Sequence, residues 1–129
     1  MSLLLDTHTF LWWAEDSARL SKRARAAVAR SNEACYLSLA SCWEMAIKIS
    51  LGRLKIGSAS LDRFVAEQMA ANSVQPLSVK LPHLARVAGL PFHHRDPFDR
   101  LLAAQALEEG LSIVSIDAVF TRYGVTRVW

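Results

Sequence analysis

Apolar residues fall into two alternating patterns along the chain. Short continuous apolar runs predict buried strands at 3–5, 34–37, 74–77, 111–116 and 125–128. Between them, helical spacing predicts helices at 7–14, 21–32, 42–49, 60–72, 82–89 and 98–110, with a helical turn at 118–122. This alternation predicts one domain over residues 1–129, a three-layer α/β/α sandwich with a mainly parallel central sheet of about five strands.

Composition narrows the class of protein but does not indicate its function. The 129 residues are 52% hydrophobic and 21% charged, which is typical of an ordered globular chain and excludes a disordered or fibrous one. A net charge of +3 permits a polyanionic partner but does not require one. No apolar run approaches the roughly 20 residues that span a bilayer, and no leader pattern opens the chain, so we expect a cytoplasmic protein with no membrane partner.

Two predicted strands are followed by an aspartate. Asp6 comes after the first strand and Asp117 after the strand at 111–116. In a parallel sheet the carboxyl ends of the strands share one edge, where ligands bind, so the two carboxylates are expected to converge there. Either aspartate alone is explained equally well as the cap of the following helix.

Two further acids lie in the first turns of predicted helices. Glu44 follows the second strand, and the pattern Ser41-x-x-Glu44 also fits a capping box, so a site role and a capping role stand about even. In Asp96-Pro97-Phe98-Asp99, Asp96 suits the N-cap and Pro97 the first helical position. Asp96 is therefore interpreted as structural, while Asp99 either complements the helix dipole or faces the strand-end edge.

Taken together, these segments resemble the PIN-domain nucleases, and among them the VapC-type toxins of bacterial toxin-antitoxin pairs. The resemblance covers essentially the whole chain and is carried by four ordered motifs: Leu-Leu-Asp6-Thr-His, Ser41-Cys-Trp-Glu44-Met-Ala, Asp96-Pro-Phe-Asp99-Arg-Leu-Leu-Ala-Ala-Gln-Ala and Ile-Val-Ser-Ile-Asp117-Ala-Val-Phe. It implies four catalytic, metal-binding acids, Asp6, Glu44, Asp99 and Asp117, hereafter the four acids. Asp96 shares the third motif, but alignment on Ala103-Ala104 favours Asp99.

The resemblance also implies the chemistry and the partners. We expect Mg²⁺, with Mn²⁺ as a substitute, to be held mainly by Asp6 and Asp99, with Glu44 and Asp117 ligating directly or through water. The expected activity is hydrolysis of RNA, leaving a 5′-phosphate and a 3′-hydroxyl. The expected partners are RNA, a small antitoxin protein and a second copy of the chain.

Residues around the motifs are candidates for binding substrate. Thr7, Lys48, Arg53 and Arg100 are assigned to this role, although Thr7 also suits helix capping and most surface cations are merely solvated. His93 and His94 are interpreted as loop residues rather than ligands. The tryptophans near the motifs, Trp12, Trp13 and Trp43, are interpreted mainly as core or interface residues.

Three alternative classes fit less well. A receiver-type signalling domain needs adjacent acids after the first strand, where Asp6 stands alone. A haloacid-dehalogenase-type phosphatase needs Asp-x-Asp there, and Asp6-Thr7-His8 lacks the second aspartate. The remaining alternative is a catalytically silent PIN-fold module that binds RNA or protein.

Overall fold

A computed structural model describes residues 1–30, 34–57 and 59–129. Over these residues the elements are, in chain order, β1 (Leu3–Leu5), α1 (Thr7–Ala14), α2 (Lys22–Ala29), β2 (Cys35–Ser38), α3 (Leu39–Ser50), α4 (Leu61–Ala71), β3 (Val74–Leu77), α5 (Leu81–Gly89), α6 (Pro97–Glu109), β4 (Ser112–Val114), α7 (Val119–Arg122) and β5 (Arg127–Val128). The predicted alternation of strands and helices is confirmed. The predicted end of the second helix near Asn32 lies outside the described residues.

The strands form one parallel sheet in the order β3-β2-β1-β4-β5. The chain first builds outward from β1 to β2 and β3, and then returns to the other side of β1 to add β4 and β5. The order therefore reverses between β1 and β4. In an open parallel sheet this reversal leaves a crevice at the carboxyl ends of the two strands.

Apolar side chains on the two faces of the sheet build two core clusters. Leu3 and Leu5 point into the cluster that contains Phe10, while Leu4 points into the opposite cluster with Ile113 and Phe120. Because successive side chains of a strand alternate between faces, three consecutive leucines supply both layers. This confirms the α/β/α layering.

The two ends of α6 show which local sequence signals were sufficient to predict a helix. Asp96 caps α6, Pro97 is its first residue, and Gly110 ends it with φ 67°, a conformation that favours glycine. The helix 98–110 was therefore predicted within one residue.

None of the helices in the described segments is long and apolar enough to cross a membrane.

The tryptophans divide between the core and the surface. Trp12 and Trp13 are partly buried against the core cluster on the face of Leu3 and Leu5, as interpreted from the sequence. Trp43 is 63% exposed and makes an edge-on contact with Phe98, with the ring centroids 5.3 Å apart. The core interpretation is wrong for Trp43 because its position on α3 faces away from the sheet.

Candidate active site

Asp6 lies at the carboxyl end of β1, where it caps α1. Its Oδ1 accepts a hydrogen bond from the Thr7 backbone N–H at 2.7 Å, and its Oδ2 accepts one from the Ser115 hydroxyl at 2.6 Å. The side chain is buried, and this burial raises the pKa of Asp6 against the opposing effects of the Ser115 hydrogen bond and the nearby His8. Asp6 is thus held in place by two hydrogen bonds. Its burial makes the charged form of the carboxylate less favourable than it is in water.

The second strand-end position is occupied by Ser115, not by Asp117. β4 ends at Val114, which pairs with Leu5, so the next residue along, Ser115, lies beside Asp6. The strand predicted at 111–116 is therefore too long. Ile116 continues the apolar run of the sequence but lies beyond the sheet and is 53% exposed. At this level the neighbouring strand β1 has already ended and its chain has entered α1.

Asp117 follows in the turn that leads to α7. Its backbone N–H donates to the Ser115 hydroxyl at 3.0 Å, and its Oδ1 accepts from the Val119 N–H at 2.9 Å. These bonds leave Oδ2 on the side of the crevice, 3.4 Å from His94 Nε2. Asp117 therefore reaches the site through a turn and not as the last residue of a strand.

Glu44 is not part of a capping box. The helix α3 begins three residues earlier than predicted, with Ser38 as N-cap accepting from the Ala40 N–H at 3.0 Å, so Ser41 lies inside the helix. Glu44 in the second turn is 8% exposed. Its Oε1 accepts from the Thr7 hydroxyl at 2.8 Å, and its Oε2 lies 2.9 Å from Lys48 Nζ. The capping interpretation of Glu44 is wrong, and Thr7 links it to the end of β1.

Asp99 lies in the first turn of α6 and has the most perturbed carboxyl of the set. Burial raises its pKa to about 8, and the negative charges of other acids add to the effect; these are Asp6, Asp96, Glu44 and Asp117. Asp96 itself caps α6, with Oδ1 accepting from the Phe98 N–H at 2.8 Å. The fold therefore brings the four acids close enough to influence one another, with Asp96 engaged in capping.

His94 is a site residue that the sequence interpretation missed. Its Nε2 lies 2.9 Å from Asp99 Oδ2, and its backbone N–H donates to the Tyr123 hydroxyl at 3.0 Å. His93 instead contacts the Tyr123 ring at a tilted angle, with ring centroids 5.0 Å apart. Neither the spacing nor the periodicity of the loop distinguishes the two histidines; only the position of the loop beside α6 does.

The structure places the predicted substrate-binding residues in different environments. Thr7 is buried and its hydroxyl is engaged with Glu44, which makes it a positioning residue, while Lys48 neutralises Glu44 at the rim. Arg53 is exposed in the loop after α3. These positions leave Lys48 and Arg53 as candidate phosphate contacts.

Arg100 contradicts its predicted role. It is 6% exposed, and its guanidinium donates to the carbonyl oxygens of Val87, Leu90 and Pro91 and to the Tyr123 hydroxyl at 2.9–3.3 Å. The ring of Phe92 lies 4.0 Å from its central carbon. Arg100 therefore anchors the loop before α6 from within the protein and is not free to bind a phosphate.

The donor chemistry of the site fits a hard divalent cation. Carboxylate oxygens from α3, α6 and the loops after β1 and β4 converge, and oxygen is the ligand that Mg²⁺ and Mn²⁺ prefer. Burial and mutual repulsion leave the pKa of Asp99 far above that of a solvated carboxyl. A cation would relieve that repulsion, which is the reason such clusters accompany metal ions.

Comparison with known proteins places this arrangement in a family. A family model described as PIN domain matches residues 3–125. Ribonuclease VapC22 of Mycobacterium tuberculosis (strain ATCC 25618 / H37Rv) is 29% identical over 117 residues, which are 90% of this chain and 87% of that protein.

Solved structures share the fold at low sequence identity. A chain of VapBC2 from Rickettsia felis, bound to a DNA fragment from its promoter, superposes with a TM-score of 0.74 at 12% identity over 98% of this chain and 97% of that one. A chain of VapBC-1 from nontypeable Haemophilus influenzae gives 0.65 at 16% identity, over 98% and 96%. Since the family model spans nearly the whole chain and the four acids converge where the fold reverses its strand order, this protein belongs to the PIN-domain family.

Proposed function

We propose that this protein is a Mg²⁺-dependent endoribonuclease and the toxin of a toxin-antitoxin pair. The observation that carries the proposal is the convergence of the four acids in the crevice between β1 and β4, where Asp99 has a pKa of about 8. Buried carboxylates that repel one another cost free energy unless a cation or a proton compensates them, which favours a metal-dependent enzyme over a silent binding module. The similarity to a protein named as a ribonuclease supports the choice of RNA.

Each residue of the site has a part in the proposed reaction. Bound Mg²⁺ would make water more acidic and the leaving oxygen less basic. Asp6 and Asp99 would be its principal ligands, with Glu44 and Asp117 ligating directly or through water. The hydroxyls of Thr7 and Ser115 fix the carboxylates of Glu44 and Asp6, so the ligands are oriented before substrate arrives.

The surface supports protein partners. Apolar side chains of α3, α5 and α6 line one open groove; they are Trp43, Ile47, Leu84, Val87, Phe98 and Leu101. Exposed apolar patches of this kind mark protein contacts. We propose that the chain forms a homodimer in the cytoplasm and is inhibited by a cognate antitoxin. Sedimentation of the chain alone, and with the product of a neighbouring short reading frame, tests both associations.

The activity is tested with purified protein and structured RNA. Wild-type protein is expected to cleave with Mg²⁺ or Mn²⁺ and to stop when EDTA is added. Asp6→Asn removes a principal ligand and is expected to lower the rate by at least about 100-fold. Asp16→Asn is the matched control, because Asp16 is exposed and paired only with Arg25 among its described contacts.

Two results would contradict the proposal. Cleavage that persists in Asp6→Asn and in EDTA would show that the four acids do not carry the reaction. RNA binding by a wild-type protein that never cleaves, with either metal present, would favour the silent binding module. Circular dichroism of Asp6→Asn distinguishes lost chemistry from lost folding.

A further inference from the structure

A phenylalanine ring stands in solvent on the loop that leads to the acids. Phe92 lies between α5 and α6 and is 84% exposed. Single exposed apolar side chains are common on proteins, so exposure alone indicates no function. Two further observations distinguish this ring: the backbone around it is fixed, and a buried cation covers one of its faces.

Hydrogen bonds hold the chain on both sides of Phe92. Before the ring, Arg100 donates to the Pro91 carbonyl oxygen at 2.9 Å. After it, the His94 backbone N–H donates to the Tyr123 hydroxyl at 3.0 Å. Arg100 also donates to that hydroxyl, at 3.2 Å, so the two anchors are joined. The loop therefore presents the ring in one place, which lowers the entropic cost of binding a partner there.

The cation against the ring is the guanidinium of Arg100. Its central carbon lies 4.0 Å from the ring centroid of Phe92. The groups that accept hydrogen bonds from this guanidinium are backbone carbonyls and a tyrosine hydroxyl, all of them neutral. A positive charge on one face draws on the electrons of the ring, so the opposite face favours an electron-rich flat group. Nucleobases are groups of this kind.

The same loop connects Phe92 to the acids. His94 follows two residues later, a span of at most about 7 Å along the backbone, and its Nε2 lies 2.9 Å from Asp99 Oδ2. Arg95, the next residue, is exposed. Aromatic faces for bases and cations for phosphates are the combination by which proteins bind single-stranded nucleic acid. The loop offers both beside the candidate active site.

We propose that Phe92 is a substrate-binding residue whose free face stacks on an unpaired RNA base near the phosphate at the four acids. This rests on the proposed function and narrows its substrate to RNA that is single-stranded at this position, because the faces of a paired base are covered by its neighbours. RNA is favoured over a protein partner, since Phe92 is not one of the side chains that line the apolar groove of α3, α5 and α6.

Binding is tested by fluorescence anisotropy with labelled, random-sequence, single-stranded RNA about ten nucleotides long. The Asp6→Asn background, with Mg²⁺ present, keeps the RNA intact under the proposed function. Adding Phe92→Ala is expected to weaken binding at least about 5-fold, the lower end of the effect of losing one base stack. Phe92→Leu keeps apolar bulk without a π face and should weaken binding similarly. Phe92→Trp keeps the face and should bind at least as tightly as the Asp6→Asn parent.

Leu81→Ala is the matched control. Leu81 is also strongly exposed, at 78%, but it is the first residue of α5. The nearby His83 contacts Glu109 at the carboxyl end of α6, whereas Asp99 lies in the first turn of that helix. Leu81 is therefore about a helix length from the acids, and its substitution should leave RNA binding unchanged.

Photochemical crosslinking locates the contact directly. The same RNA with 5-iodouridine in place of uridine is expected to crosslink to Phe92 on irradiation, because iodouracil reacts with an aromatic side chain that stacks on it. Peptide mass spectrometry identifies the residue. Crosslinks confined to other residues would overturn the inference.

Kinetics in protein that retains Asp6 give a second measurement. Phe92→Ala is expected to raise the KM for RNA at least about 5-fold and to leave kcat within about 3-fold, because a stack made before the reaction stabilises substrate and transition state alike. A variant with the wild-type KM would overturn the inference and leave the proposed function intact. So would unchanged RNA binding by Phe92→Ala, including the case in which its sedimentation changes and the ring is a protein contact.

Other outcomes separate this inference from the proposed function. RNA binding that depends on Phe92, in a wild type that never cleaves, would overturn the proposed function alone. A protein that neither binds nor cleaves RNA would overturn both. Binding that Phe92→Leu preserves in full would show an apolar contact and not a base stack, and would overturn the inference.

Discussion

The four acids were predicted as site residues from the sequence, whereas their contacts could not be predicted from it. Asp6 and Asp99 stand in short motifs that can be compared with a known family, so each could be selected residue by residue. That Asp6 accepts from the Ser115 hydroxyl, 109 positions away, depends on the register of β1 against β4. Residue type predicted the chemistry, whereas long-range packing produced the burial that raises the pKa values of Asp6 and Asp99.

The pKa of Asp99 makes stability depend on pH in the metal-free protein. The pKa is about 8 in the folded state and 3.8 by reference, so folding favours the protonated acid. Its stabilising contribution is fully present below about pH 4 and is lost as the pH rises through about 8. Urea denaturation in EDTA at pH 5 and pH 8.5 should show wild type losing about 2 kcal/mol more than Asp99→Asn, an estimate that is discounted because Asp99 is partly solvated. Equal losses in the two proteins would contradict this origin.

At the scale of elements, capping signals predicted one helix start and missed another. The Asp96-Pro97 start of α6 was predicted, whereas α3 was expected to begin after Ser41 and instead begins after Ser38. The choice is made by the sheet: Ser38 pairs with Leu77 of β3, and its hydroxyl donates to Gln105 Oε1 at 2.6 Å. Moving the start of α3 by three residues turned Glu44 from a capping candidate into a site residue.

The two acids at the start of α6 can be separated by substitution. Asp96→Ser keeps an oxygen at the N-cap and removes the charge, so Mn²⁺ affinity is expected to stay within about 3-fold of wild type. Asp96→Ala removes the cap and should lower the free energy of unfolding by about 1 kcal/mol. Asp99→Asn should weaken Mn²⁺ binding at least about 10-fold, as measured by isothermal titration calorimetry. If Asp96→Ser weakens binding as much as Asp99→Asn, then Asp96 is a ligand and not only a cap.

At the scale of the whole molecule, the site exists only when the sheet is complete. The strand order β3-β2-β1-β4-β5 brings the loop after β1 beside the loop after β4, while α3 and α6 approach from either side. The four acids are spread over 112 positions of the chain and share no local segment. A cation that binds them therefore binds the folded state and not the unfolded chain.

Metal binding should consequently stabilise the protein. At an Mn²⁺ concentration of 100 times the Kd, wild type is expected to gain about 2.7 kcal/mol in its free energy of unfolding. Asp6→Asn should gain little at the same concentration, while Asp16→Asn should match wild type. Urea denaturation with and without Mn²⁺ measures the gain, and a similar gain in Asp6→Asn would place the cation elsewhere on the protein.

The sequence by itself determined the sandwich and most helix bounds, and it predicted the four acids as site residues, because periodicity, capping and motif chemistry are local properties. Only the tertiary structure decided that Ser115 lies opposite Asp6, that Thr7 holds Glu44, that Arg100 is buried and that His94 reaches Asp99. Each of these depends on strand register or on how a loop packs against another element. Such contacts join residues that are distant in the chain, and no local pattern encodes their geometry.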